Sequence, residues 1–141
     1  MMKKVLLLSF MIFAMATSFG QELKCKEFRT GTFVIPATEH VPKSTLKRSE
    51  TSQFESISKD DYIVLDIEWI DDCNYVLKTN VEKTPSKRLT DIDRAIDKNG
   101  GLRIEMLRTV KDTMFFRAKA TFNGKEYPID GYQIKISDDF N

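Results

Sequence analysis

The stretch that decides the fold is YIVLDIEWIDDCNYVLKT, residues 62–79. Apolar side chains occupy every second position from Ile63 to Trp69, which is the period of a β-strand with one buried face. The same period resumes at Tyr75 and Leu77, and the intervening DDCN has the length and residue types of a hairpin loop. The stretch therefore predicts two antiparallel strands joined by a turn that carries one of the two cysteines.

The same alternation recurs on both sides of this hairpin, beginning with a first strand over residues 26–35. Seven or eight antiparallel strands in up-and-down order are predicted, because the connections are short. This mainly β meander is expected to form a barrel or half-barrel, with a two-sheet sandwich as the alternative. Residues 125–129 and 131–137 are predicted to form two separate strands, and the alternation in the second predicts that Tyr132, Ile134 and Ile136 point inward.

Two segments depart from simple alternation. Residues 45–58 are polar on both faces, which predicts one strand that is either exposed or borders a wet cavity. Residues 91–98 have helical spacing instead, with Thr90 as a candidate N-cap and Asn99 at the stop signal. They predict one short helix that packs against an end of the sheet.

The N-terminus predicts export. A basic MMKK is followed by the apolar residues 5–16, a run that suits a signal peptide better than a bilayer span. Cleavage is expected after Gly20, so residues 1–20 form the signal peptide and residues 21–141 a single β domain. The expected location is periplasmic, cell-surface or secreted, with no membrane span after cleavage. Because 22 basic residues face 21 acidic ones, no charge excess favours nucleic acid.

The export prediction determines how the two cysteines are interpreted. Outside the cytoplasm thiols are oxidised, and Cys25 and Cys73 can pair within the chain in one way only. Such a bridge would contribute about 4 kcal/mol in the chain-entropy description. An intermolecular bridge is the alternative.

Two short motifs resemble those of small, exported, uncharacterised bacterial proteins. The first is C-x-x-F-x-x-G-x-F, and the second is W-x-x-D-C-x-Y-x-L. The matching positions are Cys25, Phe28, Gly31, Phe33, Trp69, Asp72, Cys73, Tyr75 and Leu77. The resemblance covers roughly the first half of residues 21–141 and implies a calycin-like, that is lipocalin-like, β-fold with a shared disulfide. It implies no activity, substrate or site.

Metal and catalytic chemistry are not favoured by the sequence. The one histidine, His40, lies between prolines without a nucleophile motif. The acidic segment that begins at Asp91 does not match a calcium-binding loop, because Ala95 and Ile96 occupy positions that need an oxygen ligand and a glycine. Asp71 and Asp72 could be paired catalytic carboxylates, but turn acids more often accept hydrogen bonds from the backbone. No catalytic residue, metal ligand or cofactor is predicted.

The candidate ligand-binding residues are Arg48, Glu50, Gln53 and Trp69. The first three are long polar side chains on a strand that should face inward on one side, which is typical of a wet lumen; the alternative is a charged edge strand. Trp69 could line a cavity or belong to the core. The leading hypothesis is an exported, non-enzymatic protein that binds a small apolar ligand in the barrel. The alternatives are a structural or partner-binding cell-envelope protein with a filled core and, third, an exported hydrolase that uses His40.

Overall fold

The fold is described here from a computed structural model that covers residues 23–141. Within that range the strands are β1 (Gly31–Ile35), β2 (Ser44–Arg48), β3 (Ser52–Ser56), β4 (Tyr62–Asp71), β5 (Asn74–Thr79), β6 (Leu102–Val110), β7 (Thr113–Phe122) and β8 (Lys125–Ser137). One α-helix, α1 (Asp91–Lys98), and two 3₁₀ helices, Cys25–Phe28 and Ser86–Arg88, complete the described chain. The predicted signal peptide, residues 1–20, lies outside the described residues.

The strands form a closed antiparallel barrel in which each pairs with its neighbours in sequence. Closure is made between β1 and β8, where Val34 lies opposite Ile134 and Thr32 opposite Ser137, with a bulge between them. The predicted up-and-down meander is confirmed, as a barrel and not a sandwich. No helix in residues 23–141 has the length and apolar character needed to cross a membrane.

The prediction of one strand over residues 45–58 is wrong, because this segment is the β2–β3 hairpin. Ser49 makes the turn: its backbone N–H donates to the carbonyl oxygen of Ser52, and its hydroxyl oxygen accepts from the backbone N–H of Ser52. Small hydroxyl residues favour such local bonds over a continuous ladder. The alternative of an exposed edge strand is also wrong, since the barrel is closed.

The opposite change occurs at the C-terminus, where residues expected to form two strands form the single strand β8. Pro128 is tolerated because this part of β8 pairs with β7 alone, and β1 joins only from Ile134 onward. Gly131 lies beneath the ring of Phe116, and a Cβ there would be 2.8 Å from Phe116 Cζ. One predicted strand is divided into β2 and β3, and two predicted strands are joined as β8. The predicted number of strands is therefore correct, although these strand boundaries are not.

The inward face of β8 was assigned to the wrong residues. Tyr132 and Ile136 are 42% and 60% exposed, whereas Gln133 is 3% exposed and faces the interior. The outward ring of Tyr132 stacks beside that of Phe115, with 5.8 Å between ring centroids. The polar Gln133 points inward because the barrel interior contains a hydrogen-bond donor for it, as described below.

The barrel has two different ends. At one, which we call the plug end, the 3₁₀ helix Cys25–Phe28 lies against the β2–β3, β4–β5 and β6–β7 turns. The predicted disulfide joins Cys25 of this helix to Cys73 of the β4–β5 turn, with their Cα atoms 5.1 Å apart. At the other, which we call the helix end, α1 lies beside β5 and β7. Thr90 caps α1 through a reciprocal pair of bonds with Asp93, which confirms the predicted helix.

Candidate ligand-binding site

The interior near the plug end is organised around Arg48, whose side chain is fully buried. Its Nη1 donates to the carbonyl oxygen of Phe28 at 2.8 Å. Its Nε donates to Oε1 of Gln53, and its Nη2 donates to Oε1 of Gln133, both at 2.8 Å. Because these partners lie on the 3₁₀ helix, β3 and β8, one side chain on β2 joins four elements.

Aromatic rings stabilise the charge of Arg48, and no carboxylate of residues 23–141 forms an ion pair with it. The guanidinium carbon lies 4.6 Å from the ring centroid of Phe33 and 5.1 Å from that of Tyr75, within range of cation–π attraction. Burial lowers the pKa of Arg48 and raises the pKa of Tyr75, although the positive charge of Arg48 opposes the second effect. The buried Tyr75 hydroxyl lies near Gln133, but the pair does not meet the geometry of a hydrogen bond.

Glu50 and Trp69 belong to a cluster at the plug end, where Glu50 is exposed and Trp69 is half-buried against the hydrophobic core. The guanidinium of Arg29 stacks over the Trp69 ring at 4.1 Å and forms ion pairs with Glu50 at 2.8 Å and Asp72 at 3.2 Å. The indole Nε1 of Trp69 donates to the carbonyl oxygen of Glu50 at 3.0 Å. The four predicted ligand-binding residues are therefore divided: Arg48 and Gln53 are buried inside the barrel, Trp69 packs against the core at the plug end, and Glu50 is exposed there.

The two acids of the β4–β5 turn also have structural partners. Asp71 Oδ1 accepts from the backbone N–H of Cys73 at 2.8 Å and from the side-chain amide of Asn74 at 2.9 Å. Both bonds lower the pKa of Asp71, and the bond from the Asn74 side chain has the larger effect. Asp72 pairs with Arg29 instead. Asp71 therefore stabilises the β4–β5 turn, and Asp72 stabilises the contact between this turn and the segment that follows the Cys25–Phe28 helix.

The cavity of interest lies at the helix end, beneath α1, and has a volume of about 140 Å³. Its wall is largely apolar, but several charged side chains reach it. The lining residues are Glu55, Ile63, Leu65, Leu77, Thr79, Arg88, Asp93, Ile96, Asp97 and Leu102. None of the four ligand-binding residues predicted from the sequence lines this cavity.

Glu55 is the distinctive side chain of this cavity. It is partly buried on β3, and within residues 23–141 its carboxylate makes no hydrogen bond and no ion pair within 4 Å. Burial raises the pKa of Glu55, while the positive charges of Arg88 and Arg48 act in the opposite direction. An unpartnered acid facing a small cavity is available to bind a ligand.

The other charged side chains of the cavity already have partners. Arg88 pairs with Asp61 at 3.2 Å and with Asp93 at 3.9 Å, and its side chain is also part of an outer groove of about 470 Å³. Oδ1 of Asp97 accepts from the backbone N–H of Thr79 at 3.1 Å, which attaches α1 to β5. These contacts hold the roof of the cavity and leave Glu55 as the available polar group.

Sequence reasoning did not identify four of the residues that line the cavity as site residues. These are Glu55, Arg88, Asp93 and Asp97. A signal for Glu55 was present, because it lies two positions after Gln53 and so shares the inward face of β3. Treating residues 45–58 as one strand hid this relation. Arg88 and the helix gave no comparable signal, since their position over the barrel depends on how the β5–β6 connection folds back.

Neither a metal centre nor a histidine-based site is found in the described part of the chain. Within residues 23–141, no three or more histidine, cysteine or acidic side chains are grouped so as to hold a metal ion. His40 is exposed in the β1–β2 connection, and its backbone N–H donates to the hydroxyl of Thr38. Over the same range, no hydrogen bond joins the His40 imidazole to a serine or a carboxylate.

No protein-family model, curated protein or solved structure matches the chain. The calycin-like relation implied by the two motifs therefore stays a prediction. What the protein does must be inferred from the geometry of the barrel and its cavity.

Proposed function

We propose that the protein is an exported, non-enzymatic binding protein that holds a small, partly apolar ligand in the cavity beneath α1. The observation that carries this proposal is the cavity itself, which combines an aliphatic wall with the carboxylate of Glu55, for which the described part of the chain provides no hydrogen-bond or ion-pair partner. Most binding sites for small molecules have this character, being mainly apolar with a few polar groups that fix orientation.

The volume of the cavity limits the size of the ligand. Its roughly 140 Å³ is close to the ~150 Å³ of an engineered apolar cavity that accommodates benzene, and below the ~300 Å³ where drug-sized sites begin. A single ring or a short alkyl chain fits inside. A larger ligand would have to extend past Arg88 into the outer groove, which shares that side chain.

The helix α1 is placed to cover a bound ligand. Ile96 lines the cavity, and no residue of α1 is fully buried, so the helix has little packing to hold it down. Its attachments are the Asp97–Thr79 hydrogen bond and the Arg88–Asp93 ion pair. An element with few apolar contacts opens at low cost, which suits a roof over a binding site.

Export is part of the proposal. Its support is the N-terminal sequence and the bridged pair Cys25–Cys73, which is the state expected in an oxidising compartment. We assign the protein to the periplasm, the cell surface or the medium.

The test is native mass spectrometry of the protein purified from its own compartment, combined with variants on β6. The wild type is expected to retain an added mass after desalting, and Leu102→Trp, which fills the cavity, is expected to lose it. Leu107→Trp is the matched control, because Leu107 lies on the same strand and is 38% exposed. A wild type that contains only the bare polypeptide, or an added mass that persists in Leu102→Trp, would contradict the proposal.

The second candidate is a structural or partner-binding envelope protein with a filled core. It is favoured by the plug-end half of the barrel, where Arg48 and the rings around it occupy the interior. Under this alternative the cavity is a packing defect. Leu102→Trp would then raise the melting temperature, and the wild type would carry no added mass.

A further inference from the structure

We infer from the geometry that the ligand carries a cationic nitrogen, such as a primary amine, that pairs with the carboxylate of Glu55. This inference rests on the proposed function and names the chemical class of ligand that the cavity takes. Its basis is the difference between Glu55 and every other charged group at the cavity.

The first step is the choice of contact residue. Arg88, Asp93 and Asp97 each have a protein partner within 4 Å, and a ligand that used any of them would compete with a contact that holds the roof. Glu55 lacks such a partner among residues 23–141, so a ligand can pair with it without displacing a contact of the described chain. An ionised carboxylate accepts hydrogen bonds only, which selects a donor group on the ligand.

The second step is the sign of the charge. The cavity is lined by three carboxylates, those of Glu55, Asp93 and Asp97, and by one guanidinium, that of Arg88. Arg88 is already paired with Asp61 and Asp93, so it offers little attraction to an anion. A ligand carboxylate would meet an excess of negative charge, whereas an ammonium group would offset it.

The third step considers every charged or titratable group that faces Glu55. These are Arg48 from β2, Tyr75 from β5, Arg88 from the second 3₁₀ helix, and Asp93 and Asp97 from α1. Neither arginine is within ion-pair distance of Glu55, and burial outweighs their effect on its pKa. A cation in direct contact would stabilise the ionised carboxylate and so oppose the effect of burial.

The experiment uses three probes of nearly the same shape: benzylamine, benzyl alcohol and benzoate, titrated into the disulfide-intact protein by calorimetry near neutral pH. Benzylamine is expected to bind at least about tenfold more tightly than benzyl alcohol, and benzoate more weakly than both. Glu55→Gln should remove the preference for the amine. Glu50→Gln, which removes an exposed carboxylate at the plug end, should leave it unchanged.

The pH dependence gives a second readout on the unaltered chain, so the test does not depend on a variant that folds. Affinity for benzylamine should fall as the pH is lowered through the raised pKa of Glu55, because protonation removes the charge that the amine meets. Affinity for benzyl alcohol should change little over the same interval.

The outcomes separate this inference from the proposed function. Equal affinity for amine and alcohol, or an amine preference that survives in Glu55→Gln, would overturn the amine inference while leaving a small-molecule site. Failure of all three probes to bind, together with no added mass in the native spectrum, would overturn both.

Discussion

The interior of this barrel is filled differently at its two ends. At the plug end a 3₁₀ helix, a disulfide and one buried arginine fill the lumen, and nearly every polar group there has a partner. At the helix end, α1 makes few contacts and covers a cavity. The carboxylate of Glu55 in that cavity has no hydrogen-bond or ion-pair partner among the described residues. The plug-end half is therefore tightly packed and the helix-end half loosely covered, and we propose that the first supports stability and the second binding.

The largest effect is expected from Arg48→Ala, at the centre of the plug end. It should lower the free energy of unfolding by about 5 kcal/mol, because three buried acceptors lose their donor and a cavity is created. Chemical denaturation measures the change. Arg94→Ala is the control, since Arg94 makes an exposed pair with Asp91 and should cost little. A loss below about 1 kcal/mol for Arg48→Ala would contradict its role as the joint of four elements.

The second-largest loss in the free energy of unfolding is expected from removal of the disulfide. Replacing Cys25 and Cys73 together by alanine is expected to lower the free energy of unfolding by about 4 kcal/mol in the chain-entropy description. Peptide mapping without reductant should first show the two cysteines linked. Two free thiols in protein recovered from its own compartment would contradict both the bridge and the predicted export.

Trp69→Ala should cost about 3 kcal/mol, because the indole packs between Arg29 and Tyr75, 4.1 Å and 4.6 Å from its ring centroid. Tyr127→Ala serves as the control, since Tyr127 is 43% exposed on the β7–β8 hairpin. If the two variants unfold at the same denaturant concentration, Trp69 does not help to hold the plug.

Two substitutions by a larger side chain test directly whether the plug-end half is fully packed and the helix-end half is not. Met114→Trp, at a fully buried position near the plug end, should destabilise by about 2 kcal/mol through overpacking. Leu102→Trp, at the cavity, should change the free energy of unfolding by less than about 1 kcal/mol. Equal losses in thermal or chemical unfolding would show that the two halves are packed alike.

The smallest effect concerns the pH dependence of stability. Because burial raises the pKa of Glu55, the folded state binds its proton more tightly than the unfolded state does. That contribution is fully present below the ordinary pKa of glutamate and is lost as the pH rises through the raised value. Glu55→Gln should flatten this slope and slightly raise the free energy of unfolding at neutral pH. A parallel pH profile for variant and wild type would contradict the direction of the shift.

The architecture could be predicted from the sequence because alternation, turn residues and capping residues are local signals. The 62–79 hairpin and the helix 91–98 follow from such signals, whereas the Cys25–Cys73 bridge follows from the predicted export and the count of two cysteines. Alternation fails where both faces are polar or where a polar residue points inward, as at Gln133. Whether such a residue faces inward depends on a partner far along the chain, here Arg48.

The candidate site was harder to predict for the same reason. Arg48 and Gln53 were recognised as unusual, but the structure places them in the filled half of the barrel. Glu55 was overlooked because the β2–β3 turn was not recognised, and with it the inward face of β3. The cavity depends on how α1 returns over the barrel, and no local pattern encodes that position.

The most direct test of the central claim is to map backbone amide chemical shifts during a benzylamine titration of the disulfide-intact protein. Our account predicts changes concentrated at Glu55, Thr79, Leu102 and α1, with little change around Arg48 and the Cys25–Phe28 helix. Changes centred on the plug end, or an absence of changes at the helix end, would contradict the assignment of binding to the loosely covered half.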